Sequence, residues 1–96
     1  MQLKRVVITG LGMVTSLGND VTTTWHNLLL GKSGAEEITH FDATKFKTHF
    51  ACEVKNLDMS SLLDIKELRR YDRYIHYAIK SAEEAIVAAG GSAVKL

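Results

Sequence analysis

The chain has 96 residues, 46% of them hydrophobic and 24% charged, with a formal net charge of +1, one cysteine and no proline. That length allows one small domain or part of a larger one, read as a single unit over residues 1–96 with no internal boundary. The composition excludes a disordered tail, a basic nucleic-acid binder, an internal disulfide and a membrane span, since no run reaches about 20 apolar residues.

Residues 3–18 open the chain and organise it. Val6, Val7 and Ile8 are a continuous β-branched and aliphatic run with no polar alternation, the pattern of a strand buried on both faces. Thr9 and Gly10 end it. Gly10, Gly12 and Gly18 punctuate the loop that follows, where the backbone needs positive φ or close approach to a neighbour. Lys4 and Arg5 before an apolar run also suggest a signal peptide. The glycines, Thr15 and Ser16 interrupt that run, and no small-x-small cleavage site follows, so the segment is not read as one. The cytoplasm is the expected compartment.

Asn19 or Asp20 caps a helix over residues 19–30. Its apolar residues Val21, Trp25, Leu28 and Leu29 fall at i, i+4, i+7 and i+8, one face. Three threonines make it a poor intrinsic helix, so packing must hold it. Gly31 suits the C′ position. Residues 32–45 form a connection anchored by Ile38 and Phe41. Residues 46–55 alternate, with Phe46, Thr48, Phe50, Cys52 and Val54 on one side and charged residues on the other. This predicts a half-exposed strand. A turn follows over residues 56–61.

The last apolar pattern runs from Leu68 through Tyr71, Ile75, Ile79, Ala82 and Ile86 at steps of three and four. Asp64 and Glu67 have capping-box spacing, and Gly90-Gly91 stops the run. Asp72 is placed to cap a second helix, so one long helix and a broken pair both fit. Ala78, Ala82, Ala85 and Ala89 offer a small face for close packing. A strand, a glycine turn and a helix together give an α/β class.

The segment Arg5-Val-Val-Ile-Thr-Gly-Leu-Gly-Met-Val-Thr-Ser-Leu-Gly-Asn19 resembles the amino terminus of β-ketoacyl-acyl-carrier-protein synthases, nearest the elongating type II enzyme. Trp25, Leu28-Leu-Leu-Gly-Lys-Ser-Gly34, His40-Phe-Asp42 and Lys66-Glu-Leu-Arg-Arg-Tyr-Asp72 continue the match in order. Ser16 departs from it, standing where the family usually has proline. The resemblance covers roughly Lys4 to Gly90. It implies the amino-terminal part of a thiolase-like fold, a homodimer, and a break in the last helix at Asp72. It also implies condensation of acyl- and malonyl-carrier protein by a cysteine and two histidines, with no metal or nucleotide cofactor. Those three residues belong to motifs downstream of this stretch, so the chain alone is expected to be inert.

Other chemistry is weaker. Gly10-x-Gly12 follows a strand, but the dinucleotide fingerprint needs glycine at position 15, where Thr15 sits. Cys52 lies on the apolar side of the alternating strand and reads as buried and structural rather than as a nucleophile. His26, His40, His49 and His76 show no zinc spacing; His26 and His76 are expected on helix surfaces.

Lys66, Arg69, Arg70 and Arg73 make a basic stripe at i, i+3, i+4 and i+7. It is read either as a solvated face partnered by Asp64, Glu67 and Asp72 or as a surface for an acidic partner. The resemblance implies that Lys66, Arg69 and Arg70 dock acyl carrier protein; it implies no role for Arg73. A stand-alone binding module presenting this helix is the alternative function.

Overall fold

The computed structural model describes residues 2–91. Three helices and a two-stranded sheet follow in order: α1 (Val21–Leu29), β1 (Glu36–Glu37), β2 (Phe50–Ala51), α2 (Ile65–Arg70) and α3 (Arg73–Ala88).

The helix ends follow local chemistry. Asp20 caps α1, its carboxylate accepting from the Thr23 amide at 2.6 Å. At the other end Gly31, at φ 72°, donates to Leu28 O, while Lys32 N–H reaches back to Asn27 O. These two bonds form a Schellman closure, which needs the left-handed residue that glycine supplies without strain. The Thr23 amide, then its hydroxyl, hold the Asp20 carboxyl below its usual range. A depressed native pKa contributes stability above the unfolded value, and that contribution is lost as pH falls through the native one. Asp20→Ala is therefore expected to cost about 1 kcal/mol at neutral pH. In denaturant titrations the gap from the parent should close below about pH 4.

The broken pair is what forms. Asp64 and Glu67 make a reciprocal capping box at the start of α2. Tyr71 and Asp72 leave helical geometry, at ψ 139° and 160°, and α3 begins at Arg73.

The strands differ from expectation. Residues 6–8 are in no strand and lie exposed, Val6 at 90% and Ile8 at 81%. A strand buried on both faces exists only between neighbours, and the described residues supply none beside this run. Of residues 46–55 only Phe50 and Ala51 are paired, antiparallel, with Glu37 and Glu36 of the segment read as a connection. One further bond, Ile38 N–H to His49 O, extends the pairing. Beyond it the Glu53 carboxylate binds the Thr39 and His40 amides in place of a ladder partner. Phe41 is not an anchor: it is exposed and meets Phe46 edge to face at 5.8 Å. Cys52, just past β2, is exposed, correcting its reading as buried.

The core is small: among the described residues Ala43, Met59 and Leu63 are the buried apolar ones, with Thr24 the buried polar one. The apolar side of α1 is not what packs. Trp25, Leu28 and Leu29 are exposed, while Thr24 and Asn27 turn inward. Thr24 Oγ1 lies 3.0 Å from Thr15 Oγ1, and Asn27 donates to Leu17 O. Hydrogen bonds, not apolar contact, seat α1 on the glycine loop.

Candidate functional site

The α2–α3 corner gathers the charged residues that the sequence singles out. Glu67 is held by the capping box, its amide 2.8 Å from Asp64 Oδ1, so both carboxylates are engaged with the helix start. Helical geometry of 100° per residue places Leu68 roughly 150° from the mean direction of Lys66, Arg69 and Arg70. Leu68 is half-buried and the three basic residues are exposed. Among the described residues none of them enters an ion pair; the three pairs present are His40–Glu53, Lys55–Glu36 and Lys80–Glu83. The reading of a solvated face partnered by Asp64, Glu67 and Asp72 therefore lacks its partners here. Arg69 and Arg70 occupy the last turn of α2, where cations suit the negative end of the helix dipole.

The basic stripe does not continue. The break at Tyr71–Asp72 puts Arg73 on a different helix, where it lines a cavity of about 380 Å³. Leu68, Met59, Asp58, His40 and His76 share that wall. His76 is a correction. It is half-buried rather than on the helix surface, and its Nε2 is shielded with no hydrogen-bond partner among the described residues. His40 Nδ1 sits 3.3 Å from Glu53 Oε2. The Thr39 hydroxyl first, then the Thr39 and His40 amides, hold the Glu53 carboxyl below its usual range. No three metal-ligating side chains converge among the described residues, and no described helix is long and apolar enough to cross a membrane.

A second constellation ties the glycine loop to the long helix. A Cβ on Gly12 would fall inside the radius of Ser81 O, and one on Gly10 inside that of Ala85 O. Neither glycine has positive φ, so close approach is the reason for both. The glycines approach Ser81 and Ala85 of α3 and its cap residue Ala89, while Ala78 and Ala82 take no part and are exposed. Glu84 completes the joint: its two oxygens accept from the Met13 amide at 2.9 Å and the Val21 amide at 3.0 Å. Val21 opens α1, so one carboxylate fills an unpaired donor at a helix start and pins the loop. Sequence reasoning missed Glu84. Its only signal is position, on the turn between Ser81 and Ala88.

Residues 3–96 match the family model for the β-ketoacyl synthase N-terminal domain. The 3-oxoacyl-[acyl-carrier-protein] synthase 2 of Coxiella burnetii is 48% identical over 85 residues, 88% of this chain and 20% of that protein. The protein of the same name from Staphylococcus aureus (strain COL) gives the same figures. Among solved structures, the ishigamide ketosynthase/chain length factor superposes with a TM-score of 0.77 at 34% identity. That match covers 88% of this chain and 21% of the solved one. The chain thus spans about a fifth of the length of the curated relatives it matches.

Proposed function

The chain belongs to the β-ketoacyl synthase N-terminal domain family, and from that premise we propose that it is the amino-terminal part of a 3-oxoacyl-acyl-carrier-protein synthase. The whole enzyme elongates fatty acyl chains. A cysteine thiolate displaces the carrier thiol from an acyl thioester. Malonyl-carrier protein loses carbon dioxide, and the resulting carbanion attacks the enzyme-bound acyl group, lengthening it by two carbons and freeing the thiolate. The enzyme works as a cytoplasmic homodimer with acyl carrier protein as its partner. It uses no metal or nucleotide and engages neither nucleic acid nor membrane.

The share of this chain in that work is docking, through Lys66, Arg69 and Arg70. The supporting observation is that all three are exposed and free of ion pairs among the described residues. Such cations lay their methylenes on the surface and keep their charges in water, where they attract an acidic partner.

Cys52 stands outside this scheme. It is exposed and lies just past the end of β2, whereas an activated thiolate needs a helix N-terminus or an adjacent cation. The 96 residues alone, given acyl- and malonyl-carrier protein, should form only background product. A protein continuing this chain to the length of its relatives should turn over. Turnover by the short chain that disappears in Cys52→Ala would overturn this assignment.

A further inference from the structure

The β1–β2 hairpin gathers four donors on one carboxylate. Glu53 Oε1 accepts from the Thr39 hydroxyl at 2.8 Å and the Thr39 amide at 3.2 Å. Oε2 accepts from the His40 amide at 3.2 Å and faces His40 Nδ1 at 3.3 Å. An ionised carboxylate is acceptor-only, so it suits such a cluster, with His40 Nδ1 carrying a proton. The register of β1 on β2 sets Gly34, not Thr39 or His40, across from Glu53. Straight strands would keep these groups apart, and the carboxylate draws the chain out of that course. Thr39 and His40 are exposed, so water competes for their amides wherever the carboxylate lets go.

We propose that Glu53 is a proton-operated latch: its ionised carboxylate folds residues 39–40 back against the hairpin and seats His40 in the cavity wall that it shares with Leu68 and Arg73, and its protonation releases them. Every partner of the latch lies inside the hairpin, so no further surface is needed to close it. A protonated acid places an O–H among groups that are themselves donors, which leaves fewer of them satisfied. The bonds, the Thr39 hydroxyl's first, hold the Glu53 carboxyl below its ordinary value. A depressed native pKa keeps the latch closed at neutral pH and opens it as pH falls through the native value. Among the described residues only His40 pairs with Glu53. Lys55 pairs with Glu36, Asp58 and Asp42 hold the Ser60 and Thr44 amides, and Arg73 and His76 of α3 line the cavity without an ion pair to Glu53.

Hydrogen exchange in a full-length synthase carrying this chain tests the latch. Glu53→Gln keeps the side-chain shape and leaves one acceptor oxygen. At neutral pH the Thr39 and His40 amides should exchange ~10-fold or more faster in the variant, the scale of a lost charge-assisted hydrogen bond. The Ile38 amide, bonded to His49 O, and the amides of α3 should keep the parent's rates. In the parent, protection of Thr39 and His40 relative to Ile38 should fall as pH drops below the ordinary glutamate value of 4.5; in Glu53→Gln it should stay flat. The pH series is read over the range in which α3 stays protected. Unchanged exchange at Thr39 and His40 in the variant overturns the proposal. So does equal acceleration at Ile38, which would make Glu53 a general support of the hairpin, and so does parent protection that is indifferent to acid.

Discussion

Gly12→Val should lift the amino-terminal segment off α3 and destabilise the chain by about 3 kcal/mol, the upper part of the overpacking range. The added Cβ meets the Ser81 carbonyl and the Ala85 amide, which are backbone and cannot rotate away. Either α3 unwinds locally or residues 10–14 retreat, and retreat also breaks the Met13 bond to Glu84. Gly31→Ala is the control. Gly31 has open space around it but a φ of 72°, so its cost is left-handed strain alone, about 1–2 kcal/mol. Denaturant midpoints for the two variants at one protein concentration, with hydrogen exchange at the Met13 amide, separate the mechanisms. Gly12→Val should lose both stability and Met13 protection, and Gly31→Ala only stability. Equal costs with Met13 protected in both would mean that the loop does not rest on α3.

Reversing Arg69 and Arg70 to Glu in a full-length synthase carrying this chain should slow association with acyl carrier protein by ~10-fold or more at low salt. Rim charges act chiefly on encounter and leave the buried contacts alone. The loss should therefore shrink as salt rises, because screening weakens the parent too. Fold and active-site chemistry should be spared: both side chains are exposed and engage no acid among the described residues. The measurement compares rates with carrier-protein substrates and with a small thioester across a salt series. Equal losses on both substrates, or a parent rate indifferent to salt, would return these residues to a solvated helix face. Arg73→Glu sharpens the test. Arg73 is exposed but stands on α3, where it lines the cavity that it shares with Leu68 of α2, so its reversal should slow the salt-dependent encounter less than the Arg69 and Arg70 reversal does.

Local chemistry was legible in the sequence. A cap at Asn19 or Asp20, which the structure resolves to Asp20, the Gly31 closure, the Asp64–Glu67 box and the stop at Gly90 are settled within a few residues, because each satisfies backbone groups of one turn. The reason for Gly10 and Gly12 was half-legible. Spacing marked them as backbone positions, and only packing chose close approach over positive φ. The break at Asp72 was open on periodicity, since apolar steps run unbroken through it; the family resemblance pointed to it. Residue type and spacing marked a basic stripe, the family resemblance picked out Lys66, Arg69 and Arg70 within it, and the fold puts Arg73 on another helix by ending α2 at Arg70.

What only the tertiary structure decided is which surfaces meet. Periodicity showed that α1 has an apolar face and residues 6–8 an apolar strand, but it cannot say what covers them. In this chain the apolar sides stay open while Thr24, Asn27 and Glu84 form the joints. Met59 and Leu63 became core from what read as a turn and its flank. His76 is half-buried at a cavity wall with its Nε2 shielded, and Cys52, just past β2, is exposed. The joints tie residues from 9 to 71 positions apart in sequence. A helix or cap is closed by hydrogen bonds to near neighbours, whereas burial requires a second surface, and its position is a property of the whole fold.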